Sequence, residues 1–438
     1  MLQVNNRNKF GIFLQLTSMM LVSFPQSTAF MSVPSIGRTS YDISQAISSE
    51  AVLNMAKKTT KKKKKGPSTI GIKGFGSASS SSTTTTSSSS GAPISCEIDR
   101  SKNSLAFYDY VDKNGGGANL KRVALGRFPL GNSEAKIRGV VALKPIAKGE
   151  LIISIPYEMA INLGQEGGDP TIPALSLLEI LCENKKELSP YLSMLPKFKG
   201  DDCLGSTDFF SDKALSSLQF PIIKEETLKR RKASESRFEN DEGKIKNLNW
   251  AAVYNDKKEP SPCTDINVDH LIYTVWLITS RVLTVQGEEF SNTSYRLMIP
   301  LIDMCNHDRS SPHILSGRAV PGGTLKIIAG CNIEAGEQIN ICYGGGVAGN
   351  DRFIQDYGFL DWDNAGYDIV ARQLLGRQRV VEGGGNTSLE RQKVLDCLKE
   401  SSVEEDEKLL KEGKVEKDDM TAIEFRVGVK KSLAKFSP

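Results

Sequence analysis

"LIDMCNHDRSSPH", residues 301–313, gathers two of the three histidines of a 438-residue chain around Asp303, Cys305, Asn306 and Asp308. A metal centre would need three or four converging ligands. On a strand, Asp303, Cys305 and His307 would share one face, with His313 to complete a set. Against this, Pro300 and Pro312 bracket the stretch and the third histidine, His270, falls on a separate predicted helix. The eight cysteines contain no C-x-C or C-x-x-C pair either, so no metal is expected. A nucleophile pairing of Cys305 with His307 is weaker still, because side chains two apart need an unusual bend to meet at about 3 Å. A structural core turn with a satisfied Asn and His stays open.

Around this stretch the chain alternates short apolar runs with turns. "RGVVA" (138–142) and "ELIISIP" (150–156) read as strands separated by a turn at Lys148-Gly149, with Pro156 ending the second. "TLKIIAG" and "QINICYG" alternate apolar and polar residues, placing Ile339, Ile341 and Tyr343 on one face of a half-buried strand. Helical character marks Leu175–Asn184, Ile222–Arg237 and Asp265–Leu283. In the last, Leu271, Val275, Ile278 and Val282 form one stripe for a core. Gly344 to Gly349 formally satisfies G-x-G-x-x-G after a strand, but only a short helix candidate, Asn350–Tyr357, follows and no second parallel strand does. Residues 386–436 form a charged helical appendage with a polar interruption near Ser401–Asp419.

The first 95 residues read as an address and a tether. Arg7 and Lys9 precede an apolar stretch, Phe10–Phe24, that ends in small residues, as in a signal peptide. It is too short and too polar for a membrane span. The Ser-rich stretch to Met55 and the junction "STAFMS" (27–32) resemble bipartite plastid presequences. Lys57, Lys58 and Lys61–Lys65 form a tract that also fits a nuclear signal, with Met55 as an internal start, or a solvated charge block. Without those seven lysines the net charge of +4 becomes −3, so the body is not a nucleic-acid-coating surface. "GSASSSSTTTTSSSS" (76–90) cannot bury enough apolar surface to offset its ordering entropy and is expected to be a flexible linker.

Taken in order, "RGVVALKPIAKGELIISIP", "SPYLSMLP" (189–196), "SRVL" (280–283), "LIDMCNHDRSSP", "AGEQINICYG" (335–344) and "NDRFIQDYGFLDWDN" (350–364) resemble the SET-domain protein methyltransferases, in the branch similar to the Rubisco large-subunit lysine methyltransferase. The resemblance covers roughly 95–370. It implies an α+β fold: a SET β-fold with a pseudoknot, a helical insert lobe and a short C-terminal helical region like a substrate-binding domain. The expected division is a presequence (1–55), a basic and Ser/Thr-rich linker (56–94), a SET domain (95–360) with its insert at about 157–265, and a C-terminal region (361–438).

The same resemblance implies S-adenosyl-L-methionine as cofactor and methyl transfer to a lysine on a protein partner. Tyr343 would be catalytic, and Lys136, Arg138, Arg281, Asp303, Asn306, His307 and Tyr357 would line the cofactor pocket. Asn306 and His307 would grip the methionine and adenine parts, Asp303 would support the turn, and Lys136 or Arg281 would pair with the methionine carboxylate. The expectation is completed by a monomer in the plastid stroma, without nucleic acid or a membrane span, or in nucleus or cytoplasm if translation starts internally. A catalytically silent SET module that binds protein, and a histidine-directed methyltransferase, stay as alternatives.

Overall fold

Apolar runs of five to seven residues bounded by glycine and proline turns become strands, and longer stripes become helices that cover them. The computed structural model describes residues 96–436 except 130–135, 184, 199–204, 249, 251–265, 290–291 and 378–386. The leader, the lysine tract and the Ser/Thr stretch therefore lie outside the described residues.

The strands in chain order are β1 (Glu97–Ile98), β2 (Val123–Pro129), β3 (Lys136–Ala142), β4 (Leu151–Pro156), β5 (Ile161–Gln165), β6 (Leu283–Gln286), β7 (Ser294–Met298), β8 (Asn306–His307), β9 (Ile314–Ser316), β10 (Thr324–Ile328) and β11 (Gln338–Ile341). They form three small sheets, ordered β1-β2-β3-β11-β8, β4-β10-β9 and β5-β7-β6. The fold is α+β, and nearly all pairing is antiparallel. The exception is β8 against β11, which run parallel with Asn306 opposite Asn340 and His307 opposite Ile341. That pairing brings two segments distant in sequence side by side at the quoted stretch.

The helix Val268–Arg281 starts at an Asn267 cap whose partner is His270, so the third histidine serves the cap. Its buried residues Leu271, Val275 and Ile278 join a main core that includes Ile153 and Ile155 of β4, Leu325 and Ile327 of β10, and Ile339 and Ile341 of β11. A second core joins the C-terminal helices, through Val370, Leu374, Ala422, Phe425 and Val429, to Phe210, Leu215, Phe220 and Ile223. Residues of the insert thus pack directly on the C-terminal region.

Several sequence expectations change. The span read as a helical insert also holds strand β5, which pairs with β7. Its run "INLGQ" carries only two buried residues, too weak a period-2 signal to read alone. The polar stretch after Ser401 is a helix, Val403–Glu412, started by a Ser402/Glu405 capping box. Asn350–Tyr357 is one helical turn, Asn350–Arg352, followed by a π turn, Phe353–Tyr357. Strand β11 ends at Ile341, and Tyr343 opens a tight turn through Gly346.

Candidate active site

Four segments meet around Asn306 and His307. The first is the approach to them. Leu301 is buried with φ 70° and ψ −39°, a backbone state that a residue with a branched side chain adopts at a cost. The tight turn Ile302–Met304 follows and sets Asp303 on a buried hydrogen bond, with the Tyr191 hydroxyl donating to Oδ2 at 2.7 Å. Arg281, the last residue of its helix, donates to the Asp303 carbonyl oxygen at 3.2 Å and stands 3.9 Å from Oδ2. Burial pushes the Asp303 carboxyl up to about 6, against the opposing pull of Arg281 and Tyr191.

The second segment is β3. Asn306 Nδ2 donates to the Arg138 carbonyl oxygen at 3.0 Å across Gly139. A Cβ on Gly139 would sit 2.5 Å from Gln338 Nε2 and 2.7 Å from Asn306 Nδ2, so a larger residue here would displace both amide ends. The Arg138 side chain turns to the Met194 carbonyl oxygen. Lys136, at the start of β3, is exposed and its ammonium is held by Glu97 at 2.9 Å.

The third segment carries Tyr343. Its backbone N–H donates to His307 Nδ1 at 3.0 Å, and its hydroxyl donates to the Cys305 carbonyl oxygen at 2.6 Å. Because Nδ1 accepts, the proton of a neutral His307 ring sits on Nε2, which faces Asp361 Oδ2 at 3.5 Å. Burial pushes the Tyr343 hydroxyl well above its usual range, which keeps it a neutral phenol. The fourth segment is the π turn, which stacks Tyr357 on Tyr343 at 5.1 Å between ring centres and sets Phe353 4.6 Å from the His307 ring. Insert and helix hold this turn: Arg230 donates to Asp356 Oδ1 and the Gln355 carbonyl oxygen, each at 2.7 Å, and Thr279 donates to the Asp356 carbonyl oxygen.

All eight residues singled out from sequence lie in this assembly or on the strand beneath it, but the side chain of Lys136 is drawn toward Glu97. The face-sharing arrangement considered for a metal does not occur, since Asp303 points to Tyr191 and Arg281 while His307 points to Tyr343 and Asp361. Among the described residues no cluster of three or more His, Cys, Asp or Glu side chains is placed to hold a metal ion.

Residues 137–344 match the SET domain family. That match spans just under half of the chain. Two similar solved structures are the SET domain of LSMT bound to lysine and AdoHcy, and the same domain bound to methyl-lysine and AdoHcy. The first is 16% identical with a TM-score of 0.50, over 76% of this chain and 89% of that one. The second is 17% identical with a TM-score of 0.50, over 77% and 91%. Ribosomal lysine N-methyltransferase 4 of Saccharomyces cerevisiae is 35% identical over 83 residues, which is 19% of this chain and 16% of that protein's length.

At this site the sequence reading missed Arg309. Its guanidinium donates to Asp361 Oδ2 at 2.7 Å and to the carbonyl oxygens of Gly346 and Ala348, both at 2.8 Å. It thereby ties the glycine-rich turn, whose Gly344, Gly345 and Gly346 all have positive φ, to the segment after Tyr357. The G-x-G-x-x-G pattern is a clamped turn, followed by only a three-residue helix. Asp361 is buried, which alone would raise its pKa, but the facing His307 ring together with hydrogen bonds from the Asp363 N–H and Arg309 brings it down to about 2. The one sequence signal for this clamp was an arginine two residues after His307, with no partner visible locally. Tyr191 and Arg230 were likewise invisible, because their partners lie 112 and 126 residues away.

Proposed function

We propose that the SET domain is an S-adenosylmethionine-dependent protein-lysine N-methyltransferase. The carrying observation is the Tyr343 hydroxyl, buried beside Tyr357 and committed by its proton to the Cys305 carbonyl oxygen, next to the Asn306–His307 crossing. With the proton so placed, the hydroxyl presents acceptor character to a third group. Acceptor oxygens suit a polarised methyl group and an incoming amine. The likeness in fold to structures holding lysine and methyl-lysine supports the same acceptor.

The residues present fit the cofactor. Arg281 Nε and Asn340 Oδ1 are buried without a hydrogen-bond partner, one a cationic donor and the other an acceptor. A desolvated carboxylate needs such a charged donor, and an ammonium needs such an acceptor. Arg281 would hold the carboxylate, since Lys136 is taken by Glu97, while Asn306 and His307 would hold the remainder with the backbone of β3. When bound, the cofactor supplies an electrophilic methyl on a sulfonium.

The chain's own task is to deliver an uncharged amine in line. A lysine with pKa near 10.4 costs about 4.6 kcal/mol to deprotonate at pH 7, at about 1.36 kcal/mol per unit. The Tyr343–Tyr357 walls desolvate that amine and lower its pKa. Tyr343 is not the resting base, since its own proton is held more tightly than that of an ordinary phenol. Alignment supplies most of the remainder.

Titration calorimetry with S-adenosylmethionine, followed by labelled-methyl transfer to plastid and nuclear extracts and mass spectrometry, tests the assignment. Binding heat and label on lysine are expected. A protein that neither binds the cofactor nor transfers label is the silent module, and label on histidine changes the acceptor. The leader features at Arg7, Lys9 and "STAFMS" support plastid targeting, and a reporter fused to residues 1–95 should enter the plastid. Nuclear accumulation of the reporter would overturn that address.

A further inference from the structure

The Arg309 clamp places two large apolar side chains in water beside the site. Trp362 is 79% exposed, the most exposed large hydrophobic among the described residues, and Val347 is 48% exposed. Val347 sits between the two carbonyls that Arg309 binds, and Trp362 follows the carboxylate that it binds. Both are therefore mounted on backbone fixed by one buried guanidinium, and an exposed tryptophan on a rigid mount loses little conformational entropy when covered.

We infer that Trp362 and Val347 form a docking ledge for a large apolar side chain of the protein substrate, flanking the acceptor lysine and setting sequence preference. The inference rests on the methyltransferase reading above. What covers the ledge follows from distance. A protein docked at a specific interface buries about 800 Å² of its partner, a disc of roughly 16 Å radius. Three residues separate Tyr343 from Val347, at most about 14 Å of chain. Trp362 adjoins Asp361, whose carboxylate lies 3.5 Å from His307 Nε2. A protein that delivers its lysine to Tyr343 spreads over this neighbourhood, and tryptophan is the side chain most enriched among residues that anchor interfaces. Among the described residues no ring stacks on Trp362, and at 79% exposure its substitution removes little packing from the fold.

The test is an array of lysine peptides with every flanking position varied, with Nα-acetyl-lysine amide as the substrate that lacks flanks. The native enzyme is expected to prefer a large apolar residue at one fixed offset from lysine. In Trp362→Ala the ratio of kcat/KM on preferred peptides to that on the amide should fall at least tenfold, through KM, and Val347→Ser should lower it less. A native enzyme that methylates the array without preference, or a Trp362→Ala enzyme that keeps the preference, overturns the ledge alone. A native protein that methylates neither array nor amide and shows no heat with S-adenosylmethionine overturns the methyltransferase reading and the ledge with it.

Discussion

Arg309→Ala removes a guanidinium whose side chain is 9% exposed and which donates to one carboxylate and two carbonyls at 2.7 to 2.8 Å. Each carbonyl left without a donor costs about 1 kcal/mol or more. The carboxylate term follows from Asp361, held at about 2 against an ordinary 3.8. That difference corresponds to roughly 2.4 kcal/mol, shared among Arg309, His307 and the Asp363 N–H. The total expected loss is about 3 to 5 kcal/mol, the usual range for breaking one half of a buried pair. Because the folded pKa is depressed, the Asp361 contribution is complete above the unfolded value near 3.8 and fades as pH falls through about 2.

Guanidinium unfolding followed by tryptophan fluorescence should therefore show the largest deficit at pH 7, and one smaller by on the order of 1 kcal/mol at pH 3. Arg309→Lys keeps the charge but cannot span three acceptors, so it should fall between native and alanine. Transfer should fall in both variants, since the turn after Tyr343 loses its anchor. A deficit under about 1 kcal/mol at pH 7, or one equal at both pH values, would refute the clamp.

Tyr343→Phe should cost about 1 kcal/mol of stability for the lost bond to Cys305 while slowing transfer at least about 100-fold; turnover at the native rate removes Tyr343 from the chemistry. Asp303 has a folded pKa raised to about 6, so native stability should decline as pH rises from about 4 to 6, and Asp303→Asn should flatten that slope; a slope that persists assigns it to another group. Gly139→Val forces Asn306 off the Arg138 carbonyl and should weaken S-adenosylmethionine binding at least about tenfold, or 1.4 kcal/mol, by calorimetry. Unchanged affinity would place the cofactor elsewhere.

The sequence carried the strongly periodic elements: "TLKIIAG", the stripe of Val268–Arg281 and the ordered motifs around Asn306, His307 and Tyr343, because local alternation and short motifs survive without partners. It could not carry strands of two to five residues such as β8 or β5, whose existence depends on pairing with β11 and β7 rather than on their own composition. Nor could it show that Lys136 turns away to Glu97, that Tyr343 leaves the strand, or that one arginine ties Gly346, Ala348 and Asp361 together. These are contacts between residues 37 to 52 positions apart or more, closed only when the core forms. The residue types at the site were thus set by the chain itself. Their protonation and their partners were set by burial, which no linear pattern encodes.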